Sequence, residues 1–122
     1  MITHNSIGYT GRLGNQMFQY AALKSISLET GYEIKLPNNL KIKPDGVFDL
    51  THQKWIEYKL DLFGCFKLNC SLTEYLPSNL YNEMSFTFDR SVFSIPDNTS
   101  IEGYFQSYKY FEKYETDIRS DF

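Results

Sequence analysis

The sequence predicts an α/β domain with a Rossmann-like layer. Three observations carry this: a long helical stretch free of Pro and Gly, a Gly-rich bend just before it, and short alternating apolar segments on either side. An opening strand is expected within Ile2–Tyr9. The helix follows from about Asn15 to Glu29, rich in Ala, Leu, Met, Gln and Lys, with Gly31 as its stop signal. On a helical wheel Met17, Ala21 and Leu28 share one side while Leu23 and Ile26 take the other. Apolar character over most of the circumference marks a buried helix. Glu33-Ile34-Lys35-Leu36 then alternates before Pro37, which reads as a strand ending at the proline. Strand, turn, helix and strand form a βαβ unit with an expected right-handed crossover.

Residues 38–51 read as a loop, since Asn38-Asn39, Pro44 and Asp45-Gly46 are turn chemistry. From His52 to Asn82 short apolar pieces such as Leu60–Leu68 fit strands or helical turns equally. Phe86-Thr87-Phe88 alternates, Pro96-Asp97-Asn98 supplies a turn, and Ile101–Phe105 reads as a strand ending near Gln106. A second helix is expected from about Ser107, a suitable N-cap, with Phe111, Tyr114 and Ile118 as its buried stripe. Without repeats, low-complexity tracts or linkers, residues 1–122 read as a single domain.

Composition narrows the function classes. A net charge of −3 without clustered Lys and Arg argues against a nucleic-acid surface. No apolar run approaches the roughly 18–20 residues needed to span a bilayer, and the N-terminus lacks the features of a signal peptide. A cytoplasmic location is the expectation. Ten Tyr and ten Phe supply a core, or an interface to carbohydrate or another domain. Cys65 and Cys70 have no metal or redox spacing and read as reduced structural thiols. His4 and His52 read as structural or surface residues, although His4 lies close to the first loop.

The chemically informative run is Gly11-Arg12-Leu13-Gly14-Asn15-Gln16-Met17-Phe18-Gln19-Tyr20-Ala21. Two glycines three apart turn the chain sharply and admit a ligand to the main chain. The helix that follows offers unpaired N–H groups and the positive end of its dipole, which favour a phosphate. Arg12 adds a planar charged donor, and Asn15 and Gln16 add neutral ones. The same residues also fit a plain turn with Asn15 as N-cap and no ligand. The run is neither the Walker pattern nor the three-glycine dinucleotide pattern.

Gly-Arg-Leu-Gly-Asn-Gln-Met-Phe-Gln-Tyr-Ala-Ala resembles the N-terminal signature of the α-1,2-fucosyltransferases of glycosyltransferase family 11. Ile101-Glu102-Gly103-Tyr104-Phe105-Gln106-Ser107-Tyr108-Lys109-Tyr110-Phe111 is similar to that family's Gly-Tyr-Phe-Gln-Ser segment and the helix after it. Arg12 stands where the family more often has glycine, and this version resembles the loop of the protein O-fucosyltransferases. The resemblance implies a Rossmann-like three-layer N-terminal domain of a GT-B glycosyltransferase. It implies inverting, metal-independent transfer of L-fucose from GDP-fucose, the donor substrate, to a galactose-type sugar hydroxyl. The donor is gripped in that family by a C-terminal domain with a His-x-Arg-Arg-Gly-Asp-like motif, which these 122 residues do not contain. The chain is therefore expected to be inactive alone and to have that domain as its missing partner.

Carried over to matching positions, Arg12 and Asn15 are the expected catalytic residues. Gly11, Leu13, Gly14, Gln16, Tyr104 and Gln106 are expected to bind substrate. His4, Asp45 and Asp49 are the candidates for a general base. Two other readings compete: a non-catalytic carbohydrate- or partner-binding module, and a structural domain that pairs with a separate chain.

Overall fold

A computed structural model of the chain describes residues 1–7, 13–37, 47–49, 54–56, 68, 70–85 and 87–122. These form an α/β arrangement around a small parallel sheet. In chain order the elements are β1 (Ile2–His4), α1 (Leu13–Thr30), β2 (Lys35–Pro37), β3 (Val47–Asp49), β4 (Lys54–Ile56), β5 (Ser71–Thr73), β6 (Asn79–Asn82), β7 (Thr99–Glu102) and α2 (Glu115–Asp121). Short 3-10 segments occupy Arg90–Ser94, Tyr108–Tyr110 and Glu112–Tyr114.

Strand β7 lies between β1 and β6 and is parallel to both, with Ile2 opposite Thr99 and His4 opposite Ile101. A parallel bridge between Ile2 and Ile34 sets β2 against the other edge of β1, and β2 in turn pairs in parallel with β5. The expected βαβ unit is therefore present. Ile2, Thr3, His4, Thr99, Ser100 and Ile101 are all buried, as expected for central parallel strands covered on both faces.

Helix α1 is buried over most of its circumference, Ala21, Ala22, Leu23 and Ile26 among its core residues, although Leu28 is 40% exposed. Its end follows from local chemistry. Gly31 sits at φ +83°, a conformation that disfavours a side chain, and its N–H donates to the Ser27 carbonyl at 2.7 Å. The Thr30 hydroxyl donates to the Ile26 carbonyl at 2.6 Å and accepts the Tyr32 N–H at 3.2 Å, which closes the last turn.

Many of the aromatic residues form one connected chain of rings. His4, Phe105, Tyr110, Phe88 and Phe93 follow one another with centroids 6.1, 5.1, 4.9 and 6.3 Å apart. Burial pushes the Tyr110 hydroxyl up to about 12, with the nearby Glu83 carboxylate adding to the rise and the donated Asp89 N–H opposing it. Other aromatics remain on the surface, Tyr75, Tyr104 and Tyr108 among them.

Several expectations need correction. Part of the expected 38–51 loop is strand: β3 pairs antiparallel with β4, Val47 facing Ile56 and Phe48 facing Trp55. These are residue types that favour a pleated surface, and they outweigh the turn chemistry just before them. Thr87 and Phe88 are not in a strand; the Phe88 ring packs on Tyr110, whose hydroxyl donates to the Thr87 carbonyl at 3.4 Å. The strand expected over Ile101–Phe105 covers Thr99–Glu102 instead, since Gly103 at φ +140° and Phe105 at φ +52° leave extended geometry. The helix expected from Ser107 is two 3-10 turns followed by α2, although Ser107 does cap the first turn. Tyr110 and Ile118 are its buried residues, with Phe111 and Tyr114 only partly covered. Cys70 is a free, half-buried thiol, whereas Cys65, His52 and nearly all of Leu60–Leu68 lie outside the described residues.

Candidate functional site

The carboxyl ends of β1, β6 and β7 and the start of α1 come together at one edge of the sheet. In open α/β sheets this edge is where ligands bind, beside the strand whose neighbours are reached in opposite directions. Here that strand is β1, with β2 on one side and β7 on the other.

Gln106 and Asn15, 91 positions apart, meet at this edge: the Gln106 Nε2–H donates to Asn15 Oδ1 at 2.9 Å. Both remain accessible, Gln106 exposed and Asn15 partly so. Tyr104 is also exposed. These two side chains project from the turn after β7 and not from the strand itself, which corrects the expectation that they stand at its end.

The start of the helix also differs from expectation. α1 begins at Leu13, so Gly14 lies in its first turn and Asn15 is its third residue instead of its N-cap. Gly14 is exposed and a Cβ there would meet nothing within 4 Å, so the open first turn tolerates it. Gln16, expected to bind substrate, is fully buried in the first half of the helix. Gly11 and Arg12 lie outside the described residues, as does Asp45. Asp49 stands in β3 opposite Lys54.

The turn after β7 is held from three directions. Its Gly103 carbonyl accepts the His4 Nε2–H at 2.6 Å and the Gln19 Nε2–H at 3.2 Å. Glu83 Oε1, just beyond β6, accepts the N–H groups of Tyr104 and Phe105, both at 3.2 Å. Two hydrogen-bond partners set the tautomer of His4. Its Nδ1 accepts the Ser6 N–H at 3.2 Å while Nε2 faces a carbonyl, so the ring is neutral with its proton on Nε2. Glu102 completes the edge: one carboxylate oxygen accepts the Ser6 hydroxyl, and the other is sealed from solvent with no hydrogen-bond partner among the described residues.

Sequence reasoning missed Glu83, Glu102 and Gln19. Glu102 stands directly before Gly103 in the quoted motif, which was its available signal. Glu83 had none, being 21 positions from the Tyr104 amide that it binds.

A groove of about 690 Å³ opens beside this edge and touches it at Gly14. Met17, Phe18, Phe111, Ile118 and Phe122 make its walls largely apolar, and Arg119, which also lines it, is paired with Glu115 at 2.6 Å. Among the described residues, no group of three or more His, Cys, Asp or Glu could hold a metal ion, and no helix is long and apolar enough to cross a membrane. No family model, curated protein or solved structure matches the chain.

Proposed function

We propose that the chain is the N-terminal, acceptor-side part of a GT-B α-1,2-fucosyltransferase, a Rossmann-like three-layer domain that works with a donor-binding partner domain. The reaction is inverting, metal-independent transfer of L-fucose from GDP-fucose to a galactose-type hydroxyl. One observation supports this most. The two segments that resemble the family are far apart in sequence, yet the Gln106 side chain donates to Asn15 across the edge where α/β domains bind ligands.

The chemistry follows from the groups at that edge. With Asn15 Oδ1 accepting from Gln106, the Asn15 amide N–H groups and the Gln106 carbonyl oxygen offer a donor and an acceptor to sugar hydroxyls. The first N–H groups of α1 and its dipole favour negative charge. Together with Arg12 they would stabilise the charge that grows on the GDP leaving group in the transition state.

NMR titration of the 15N-labelled chain with GDP-fucose, and separately with lactose, tests the reading. Shifts at Gly14, Asn15 and Gln106 are expected with lactose, further shifts are expected with GDP-fucose, and no turnover is expected without the partner domain. In a version that carries that domain, Arg12→Ala should lower turnover while leaving the melting temperature unchanged. Lactose binding with no response to GDP-fucose, even with the partner domain present, would turn the assignment toward a non-catalytic carbohydrate module. No response to either ligand would end the transferase reading.

A further inference from the structure

We propose that Glu83 is a positioning residue: its carboxylate holds the Gly103–Gln106 turn in the conformation that seats Gln106 against Asn15. The turn is not one that an L-residue chain adopts freely. Phe105 sits at φ +52° and Gly103 at φ +140°, and positive φ at a bulky residue persists only where the surroundings enforce it. Glu83 supplies much of that enforcement. Its own N–H donates to the Glu102 carbonyl at 2.8 Å, which extends the β6–β7 pairing by one residue and fixes the Glu83 backbone. From there Oε1 takes both the Tyr104 and the Phe105 N–H at 3.2 Å. Hydrogen bonds to a carboxylate are stronger than those between neutral groups, and two converging on one oxygen set the orientation of successive peptides.

The approach is close. A Cβ on Gly103 would lie 2.5 Å from the Glu83 Cβ, so the glycine is what lets the glutamate stand over the turn. On the opposite side His4 and Gln19 hold the Gly103 carbonyl. Gln106 follows immediately, and its side chain reaches Asn15 only if the turn leaves β7 in this direction.

The inference deepens the transferase reading, because a seated Gln106 matters only if that edge binds substrate. Its first test does not depend on that reading. In the 15N-labelled chain, Glu83→Ala should lower hydrogen-exchange protection of the Tyr104 and Phe105 amides by about tenfold or more, since a charged acceptor is lost. It should also abolish the nuclear Overhauser contact between the Gln106 and Asn15 side chains. The Ile101 amide should stay protected in the same sample, which separates local release from unfolding. Glu83→Gln keeps a carbonyl oxygen in place and should retain the contact; this variant carries the test if the alanine variant does not fold. A Gln106–Asn15 contact that survives in Glu83→Ala, or that is lost equally in Glu83→Gln, overturns the proposal. A second arm titrates lactose: affinity should fall about fivefold or more in Glu83→Ala and recover in Glu83→Gln, in line with one lost hydrogen bond. Equal affinity in wild type and Glu83→Ala overturns positioning. Failure of the wild type to respond to either lactose or GDP-fucose removes the transferase reading and leaves the exchange result to decide the role of Glu83.

Discussion

Helix α1 and the segment from Ser107 to Asp121 both read as helix in the sequence, the first apolar almost all round and the second through a stripe, and they fold differently. α1 is continuous from Leu13 to Thr30, whereas the later segment breaks into two 3-10 turns before α2. The difference lies in what each segment is made of. α1 is built largely from straight-chain and small residues that lose little freedom in a helix, so propensity and burial agree. The later segment opens with Tyr108, Tyr110 and Phe111, and Tyr110 is drawn into the core between Phe105 and Phe88. A single anchored ring there decides the backbone. The 3-10 turns, a tighter form used in short pieces, carry that ring inward at Tyr110.

If that account holds, Tyr110→Ala should be the most damaging change in the later segment, costing about 3–5 kcal/mol, the range for deleting a buried aromatic ring. Urea denaturation measures this, and a loss under 1 kcal/mol would show that the ring does not organise the segment. The matching test in the first region is Gly31→Ala. It leaves packing untouched because a Cβ would meet nothing within 4 Å, but the φ of +83° should cost about 1–2 kcal/mol. An unchanged midpoint would place the end of α1 under tertiary control after all.

Where the two regions meet, the Tyr20 hydroxyl donates to Asp121 Oδ2 at 2.7 Å, with Lys24 3.6 Å from the same oxygen. Burial first, then the Asp121 carboxylate, raises the Tyr20 hydroxyl well above the usual phenol range. Tyr20→Phe should therefore cost about 1–2 kcal/mol and loosen α2 more than α1, read as lower amide protection at Ile118 than at Leu23. Equal loss at both would make the pair one cooperative unit.

The smallest effect concerns Cys70, on the border of the same cluster. Burial pushes its thiol up from 9.0 to about 11, Lys24 working against the rise and Asp121 with it. In a Cys65→Ser background, alkylation of Cys70 at pH 8 should be on the order of a hundredfold slower than for a free peptide thiol. The folded thiol keeps its proton longer than the unfolded one. Its contribution to stability is thus whole below pH 9.0 and fades as pH rises from 9.0 to about 11. Alkylation as fast as in a peptide would place the thiol at the surface.

The sequence announces whatever depends on neighbours in the chain. Gly31 and Thr30 mark the end of α1, and Glu33–Pro37 marks the second strand, because turn chemistry and alternation are local. Features set by distant partners stay hidden. Gln16 looks like a surface polar residue until the fold turns it inward, and Glu83 acquires its role only when β6 lies beside β7. Gly103 and Phe105 read as strand because the apolar pattern continues through them; a glycine permits positive φ without requiring it, and nothing at Phe105 announces one. For the candidate site, two motifs single out Asn15 and Gln106 though not the hydrogen bond between them, and Glu102 stands within one of those motifs, whereas nothing in the sequence marks Glu83.

His4 has a consequence for where protons can travel. An imidazole relays protons when one of its nitrogens is at liberty to gain or surrender one. Here a proton arriving at Nδ1 would have to evict the Ser6 amide, and one departing from Nε2 would take away a donor on which the Gly103 carbonyl rests. The ring thus behaves as a strut bolted at both ends, bracing the turn after β7 against β1.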